Sequence, residues 1–414
     1  MGGGCCQPQK VGLNRLISIT YKSFRNRDTM RIAMVGDEFY PAIGGAPAYT
    51  MGLGMALARL GVEPTLFSHA HPRQAKEEEF NGLTVKRLKG FVISRFDRAI
   101  SASLAKRLHE CIKFGGFDVV HGQDIYSPMA LQSIYSARRR RIPSVLTCHS
   151  IHKTAGLWQL IYRPLVLMMC RANRVIVVSN ATREFCRVLG VPDHKMEVIP
   201  NGVDLSKFNS AVDGLRMRAR LGLGSEPLVV SATRLVRRKG MHYLVAAFLK
   251  VRKGVPDAKL AIAGKGPEAA NLRARIKELG IEDSTFMLGA LSHGQVAELM
   301  AAANVFVLPS IVESSPLTLL EAMAVGVPVV CPRAGGVSEV IEDGINGLMV
   351  PPTNVDALAD AITRILSDKQ LAKRLRGSGL KIVREKFSWE RAARQTLELY
   401  EKVREEHAKR RTQH

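Results

Sequence analysis

Two glutamates, Glu313 and Glu321, stand eight positions apart in the stretch ESSPLTLLEAM. The run before them, VFVLPS, has the unbroken apolar character of a buried strand, so Glu313 falls in the loop just past its end. Between the acids, Ser315 suits a helix N-cap and Pro316 the first helical position. Glu321 then lies on the second turn. A helix start offers free N–H groups and the positive end of a dipole to an anion. Two carboxylates beside such a site would not bind the anion; they would accept hydrogen bonds from hydroxyls. The matching cations are Arg234 and Lys239 in VVSATRLVRRKG, at the end of another apolar run and directly before Gly240. A planar guanidinium fork and a mobile ammonium suit a phosphate clamp. Arg237 and Arg238 between them read as a solvated turn. The chemistry implied is a diphosphate held by cations and amides, with acids reading the sugar rings on its two sides.

Three other loops carry polar or glycine signals. Gly44 and Gly45 precede a helix expected from Pro47 or Ala48, where paired glycines let a backbone approach an anion closely. Gly264, Lys265, Gly266 and Ala269 spell GxGxxA after a strand, the outline of a dinucleotide fingerprint. Pro267 removes an N–H from that helix start, and no acid ends the next strand near Leu288, so a tight turn beside a nucleotide base fits better. His149 directly follows PSVLTC and could bond a sugar hydroxyl or stabilise charge; His121 reads as a packed histidine.

The elements that must position these loops alternate along the chain. Strands are expected at 31–36, 118–122, 143–149 and 174–179, with helices near 48–60, 99–113, 126–139, 157–172 and 180–189. A second series of strands follows at 227–235, 259–264, 284–289, 304–310, 328–332 and 347–350, separated by helices near 240–253, 268–279, 293–303, 316–325 and 355–366. Apolar strands joined by helical crossovers predict parallel sheets covered on both faces, an α/β fold with two doubly wound domains. Ligands of such domains bind beyond the carboxyl ends of the strands, so two facing each other would enclose a cleft. The join is expected near 199–214, rich in Pro, Gly, Asn and Ser, which sets domains at 30–205 and 206–387. The end of the chain is helical from about 368 to 409, with Ser388 as an N-cap inside it.

Composition sets the class. The chain has 414 residues, 46% hydrophobic and 23% charged, the range of a soluble globular protein of two or three domains. No apolar run reaches the roughly 18–20 residues of a membrane span; the best, Leu157 to Met169, is broken by Arg163 and Pro164. Seven cysteines without CxxC spacing point to reduced thiols and a cytoplasmic protein. The net charge of +23 is spread along the chain and attracts polyanions: nucleic acid, anionic lipid or a phosphorylated substrate. Aromatics are only 6% and scattered, which speaks against nucleic acid. Residues 1–29 lack a continuous signal-peptide core and read as a disordered basic extension or a misplaced start, with a basic or acylated membrane anchor as the alternative.

Taken together, Glu313-x7-Glu321, Arg234 with Lys239, the Gly264 and Gly44-Gly45 loops and IPNGVDLSKF resemble the family-4 retaining glycosyltransferases of GT-B fold, from Met30 to about Tyr400. The resemblance implies two facing Rossmann-like domains, the first on the acceptor side and the second binding a nucleotide sugar, with the last helix, 388–409, crossing back onto the first. It implies that Glu321 holds the ribose, Glu313 the transferred sugar, and Arg234 and Lys239 the leaving diphosphate. The main chain of Leu317 and Thr318 would donate to that diphosphate, and Gly45 beside Gly44 would approach it from the other domain. Met287, Leu288 and Gly289 would meet the base near Gly264 and Gly266; Asn201 would join the donor site and His149 the sugar. The family often has Phe-Gly where this chain has Ser315-Pro316. No DxD motif is present, in keeping with a metal-independent site without cofactor. FYPAIGG, TRLVRRKG and EVIPNGVD are also similar to the catalytic chains of phosphatidylinositol N-acetylglucosaminyltransferases and to lipid mannosyltransferases. The resemblance therefore implies a UDP-sugar donor, with GDP-mannose as the alternative. A glycolipid acceptor at a membrane face is expected, met by the basic runs at 95–114 and Arg138–Arg141. A sugar-nucleotide epimerase or hydrolase on the same fold is the nearest rival.

Overall fold

The unbroken apolar runs build two sheets. The computed structural model describes residues 29–37, 39, 44–70, 75–90, 92–93, 98–99, 101–151 and 166–412. The extension up to residue 28, most of the helix expected at 157–172 and part of the basic run at 95–100 lie outside the described residues. The first sheet contains β1 (Arg31–Val35), β2 (Glu63–His69), β3 (Glu77–Phe80) and β4 (Leu83–Leu88). After a small antiparallel pair, β5 (Val92–Ile93) with β6 (Arg98–Ala99), come β7 (Val119–Gln123), β8 (Ser144–Cys148), β9 (Arg174–Val177) and β10 (Met196–Val198). The order across the sheet is β10-β9-β8-β7-β1-β2-β4-β3. All pairs are parallel except β3 with β4, so the expected all-parallel sheet gains one antiparallel edge strand.

The second sheet holds β11 (Leu228–Ala232), β12 (Lys259–Ala263), β13 (Thr285–Gly289), β14 (Val305–Val307), β15 (Val329–Pro332) and β16 (Leu348–Val350), ordered β13-β12-β11-β14-β15-β16 and wholly parallel. The direction of winding reverses between β1 and β7 in one sheet and between β11 and β14 in the other. Crevices open at the carboxyl ends of strands where such reversals occur. The loops after β11 and β14 are those that carry Arg234, Lys239 and Glu313. The two sheets give the GT-B arrangement.

The chain crosses between the halves twice, and the crossings touch. Val203 N–H donates to Phe387 O at 2.9 Å. A Cβ on Gly202 would fall 2.3 Å from the Trp389 nitrogen, so only glycine lets the strands of chain lie this close. The expected continuous helix is two, Lys369–Lys386 and Trp389–Thr412. Ser388 Oγ caps the second by accepting from Arg391 N at 3.2 Å. That helix returns to the first domain, where Trp389, Ala393, Leu399, Tyr400 and Val403 pack with Tyr49, Leu53, Leu57, Val119 and Val145. Within this core the Tyr400 hydroxyl lies 2.6 Å from His121 Nδ1, and Thr147 Oγ1 lies 2.6 Å from Nε2. Burial first, then the neighbouring His149, pushes the His121 pKa down to about 3, so the ring is neutral with both nitrogens bonded.

Among the described residues, no helix is long and apolar enough to cross a membrane. Tyr400→Phe should leave one His121 nitrogen buried without a partner and destabilise the protein by about 1–3 kcal/mol in urea denaturation. A loss below about 0.3 kcal/mol would show that the His121–Tyr400 contact does not tie the helix to the domain.

Candidate active site

The second domain contributes a network of loops held by backbone bonds. After β11 the chain turns through a 3-10 segment, Arg237–Lys239, into the helix Met241–Gly254. Gly240 between them has φ 65°, and a Cβ there would meet Pro309 O at 2.0 Å. This contact, with Ile311 N donating to Arg238 O at 2.9 Å, presses the loop after β11 against the loop after β14. The result brings Lys239 Nζ to 2.5 Å from Glu313 Oε1. The side chains are 16% and 8% exposed, so the pair is screened from water on most sides. An ammonium has three donors, and one carboxylate oxygen leaves the others for a phosphate.

The Gly264 loop zips onto the same turn. Gly264 N donates to Gly289 O at 2.6 Å, Leu235 N to Lys265 O at 2.8 Å, and Glu268 N to Leu235 O at 3.0 Å. Gly264 therefore abuts Thr233 O, where a Cβ would lie at 1.8 Å. Arg234 is exposed on this turn, and its carbonyl accepts from Val236 N at 2.9 Å. Gly266 abuts Leu235, and Met287, Leu288 and Gly289 are half-buried on the adjoining strand. The loops bearing Arg234, Lys239, Glu313, Gly264, Gly266 and Gly289 thus form one connected rim.

Three expectations need correction. The helix after Glu313 is Leu317–Val325, with Pro316 as its N-cap and no side-chain cap; Ser315 is not the cap because its own carbonyl accepts from Leu317 N at 3.1 Å. The Leu317 amide is therefore engaged, and the Thr318 amide has no partner among the described residues. The Leu317 side chain instead packs on the first domain's core. In the first domain, the helix near Gly44 begins at Gly45, not at Pro47 or Ala48. Gly44 is extended and caps it by accepting from Ala48 N at 3.1 Å, while the Cβ position of Gly45 is open space.

Glu321 has burial as the only cause raising its pKa, to about 8, so its carboxyl is mostly protonated at neutral pH. It lines an interdomain cavity of about 40 Å³ with Ala48, Gly202, Lys207, His293 and Trp389. That volume holds only a few water molecules, far less than a nucleoside. The two domains also touch through hydrogen bonds. Ile151 N donates to Ser314 Oγ at 3.1 Å, and Glu339 accepts from Asn180 N, Asn180 Nδ2 and Ala181 N at 2.7, 3.0 and 2.9 Å. The latter caps the helix Asn180–Val188 of one domain with a carboxylate of the other, a favoured place for negative charge.

His149 stacks edge-on to Tyr49, ring centres 4.4 Å apart, with Nε2 at 3.3 Å from Gln123 Oε1; burial pushes its pKa down to about 3. Gln123 Nε2 and Asn201 Oδ1 are buried without partners among the described residues. Sequence reasoning missed Gln123, Ser314 and Glu339. The paired glycines Gly335-Gly336 were a usable signal for the last two: Gly336 N donates to Glu313 O at 2.9 Å, and a Cβ on it would strike Ser314 O.

Two Rossmann-like domains closing on a rim of cations, carboxylates and glycine turns define a glycosyltransferase of GT-B type. Comparison with known proteins bears this out: the chain belongs to the glycosyltransferases. Residues 43–207 match the family described as "Glycosyltransferase Family 4", and residues 216–381 match "Glycosyl transferases group 1". An uncharacterized glycosyltransferase of Methanocaldococcus jannaschii is 30% identical over 90% of this chain and 98% of its own. A GDP-mannose-dependent alpha-(1-6)-phosphatidylinositol monomannoside mannosyltransferase of Mycolicibacterium smegmatis is 35% identical over 56% of this chain and 63% of its own. A component chain of the phosphatidylinositol N-acetylglucosaminyltransferase of Arabidopsis thaliana is 25% identical over 90% of this chain and 82% of its own. Among solved structures, sucrose-phosphate synthase of Thermosynechococcus elongatus superposes with a TM-score of 0.73, 26% identity and coverage of 90% of this chain and 99% of that one.

The raised Glu321 pKa has a stability consequence. Between about pH 4.5 and 8 the unfolded chain ionises this carboxyl while the folded one keeps its proton, so its contribution to stability falls as pH rises. Glu321→Gln should leave the unfolding temperature unchanged at about pH 4 and raise it at about pH 8, while weakening nucleotide binding. A variant that is no more stable than the parent at the higher pH would rule out a strained carboxyl.

Proposed function

We propose that this glycosyltransferase moves a hexose or N-acetylhexosamine from a nucleotide diphosphate sugar to an acceptor with retention of anomeric configuration. The observation that carries the reading is the Lys239–Glu313 pair beside the open amide of Thr318. An ammonium beside a helix start suits a diphosphate, and a carboxylate suits a sugar hydroxyl, which supports the reading. The donor base is read as UDP, with GDP-mannose as the alternative; the relatives' names include both GDP-mannose and N-acetylglucosamine transfer.

In the proposed reaction the bond between the anomeric carbon and the β-phosphate oxygen breaks as the acceptor oxygen bonds to the same face. The acceptor's proton passes to the departing phosphate oxygen. Arg234 and Lys239 stabilise the charge that grows on the leaving diphosphate, with no metal and no covalent intermediate. Glu313 orients the sugar, Glu321 bonds the ribose, and Met287 to Gly289 meet the base. His149, neutral because its pKa is about 3, offers a hydrogen bond to the sugar without adding charge. Movement of the domains about their double crossing is proposed to accompany donor entry beside Glu321. The acceptor is proposed to be a membrane glycolipid of the phosphatidylinositol class, met by a peripheral enzyme on the cytoplasmic face. Two relatives named for phosphatidylinositol substrates and the net charge of +23 support that part.

A thermal-shift screen of UDP-, GDP- and ADP-sugars tests the donor; the true donor at about 100 times its dissociation constant should stabilise by about 2.7 kcal/mol. With that donor, Arg234→Ala or Lys239→Ala should lower turnover by about 100-fold or more. A change of less than about threefold in both would overturn the clamp.

A further inference from the structure

A second concavity, of about 840 Å³, opens on the first domain at the far end of its sheet from the cleft. It is lined by Ile142 and Ser144 before and at the start of β8, by Asn173 and Arg174 at the start of β9, and by Lys195 just before β10. The site residues His149 and Asn201 follow the opposite ends of these strands. Five residues of β8 separate the two ends, roughly 15 Å.

The charge of this concavity is one-sided. Arg138, Arg141, Arg171, Arg174, Lys195 and Arg410 line it, together with His194 and His407. Among the described residues the only carboxylate paired with any of these cations is Glu406, 2.5 Å from Arg174. Six cations against one carboxylate leave a formal excess of five. Two helix ends nearby, those of Pro128–Arg139 and Trp389–Thr412, contribute about half a negative charge each. That accounts for a basic residue or two in a last turn and leaves most of the excess uncompensated. Lys195 is held rigidly, its Nζ donating to Cys170 O at 2.5 Å and Ala172 O at 3.1 Å. Burial, together with Arg174, Arg410 and Arg138, lowers its pKa despite the opposing effect of Cys170. Arg138, Arg141, Arg171 and Arg410 by contrast are exposed, so their guanidinium forks can turn toward an anion, Arg171 by giving up a weak contact with Met168 Sδ. Guanidinium forks match phosphate oxygens in pairs.

We propose that this basic concavity is a second binding site, separate from the glycosyl-transfer cleft, for a ligand bearing several phosphate groups. The breadth of the pocket and the number of cations favour clustered phosphates over a single one. The same chemistry is offered by a free polyphosphorylated ligand and by the phosphorylated headgroup of an inositol lipid. It is independent of which sugar and acceptor the cleft takes.

Inositol hexakisphosphate serves as the soluble probe, measured by calorimetry. Phosphatidylcholine vesicles with and without a phosphorylated phosphatidylinositol serve as the membrane probe, measured by sedimentation. The triple variant Arg138→Glu, Arg171→Glu, Arg410→Glu should lose about tenfold or more of its affinity for whichever probe the parent binds, with nucleotide binding unchanged. Because all three side chains are exposed, the fold should survive; should the triple variant fail to fold, Arg171→Glu alone should show the same direction. Arg234→Ala in the cleft should leave probe binding intact. Binding of the soluble probe by the parent identifies a free ligand, and binding of the phosphoinositide vesicles alone identifies a membrane headgroup. Binding of neither, equal binding by the parent and the charge-reversed protein, or loss on Arg234→Ala would overturn the proposal.

Discussion

The two chain crossings between the domains are the constraint on which the rest of the molecule depends. They are bonded to each other through Val203 and Phe387 and pressed together at Gly202 and Trp389. A chain that crosses once could let its domains swing widely. One that crosses twice at the same place has a narrow hinge. The carboxyl ends of the two sheets are thereby kept facing, and the switch points β1/β7 and β11/β14 open into a shared space. Rotation about such a hinge would change the width of that space.

The domains meet through polar contacts that are cheap to exchange. Glu339 caps a helix of the opposite domain, and Ser314 accepts an amide from Ile151. Each has an aqueous alternative when the domains part, so neither locks the molecule. The Lys239–Glu313 pair lies wholly within the second domain and survives such motion. Its two partners come from loops on either side of the β11/β14 switch point, and the backbone contact at Gly240 fixes their approach. The ammonium and carboxylate are thus held in place without a ligand, the preorganisation that the proposed diphosphate clamp calls for.

The sequence made the second domain more legible than the first. Strands such as LVVSA and KLAIA are buried on both faces and read as apolar runs. In the first domain, β4 (LTVKRL) alternates buried and half-buried residues toward the sheet edge, and a search for unbroken runs passes over it. The strand β3 is EEEF, whose glutamates meet Lys86, Arg87 and Thr84 of β4. No local pattern announces that pairing. At the site, acids, cations and glycines at strand ends were readable because their loops follow single strands. Gln123 and the helix that Glu339 caps were not. The first is an ordinary strand residue until His149 lies beside it, and the second starts 159 positions from the carboxylate that caps it. The pairing of Lys239 with Glu313 was also hidden, since separate roles could be assigned without knowing that Gly240 draws the loops together.

The return of the last helix into the first core has a temporal consequence. A polypeptide emerges from the ribosome amino end first, at about 5–20 residues per second. His121 and Thr147 are made early, whereas Tyr400, which completes their hydrogen-bonded group, follows His121 by 279 positions. The first half must therefore wait roughly 10–50 s, exposing an unfinished apolar face while the second half is translated and folds. A first core that cannot close until the second domain has been made follows from where one tyrosine is buried.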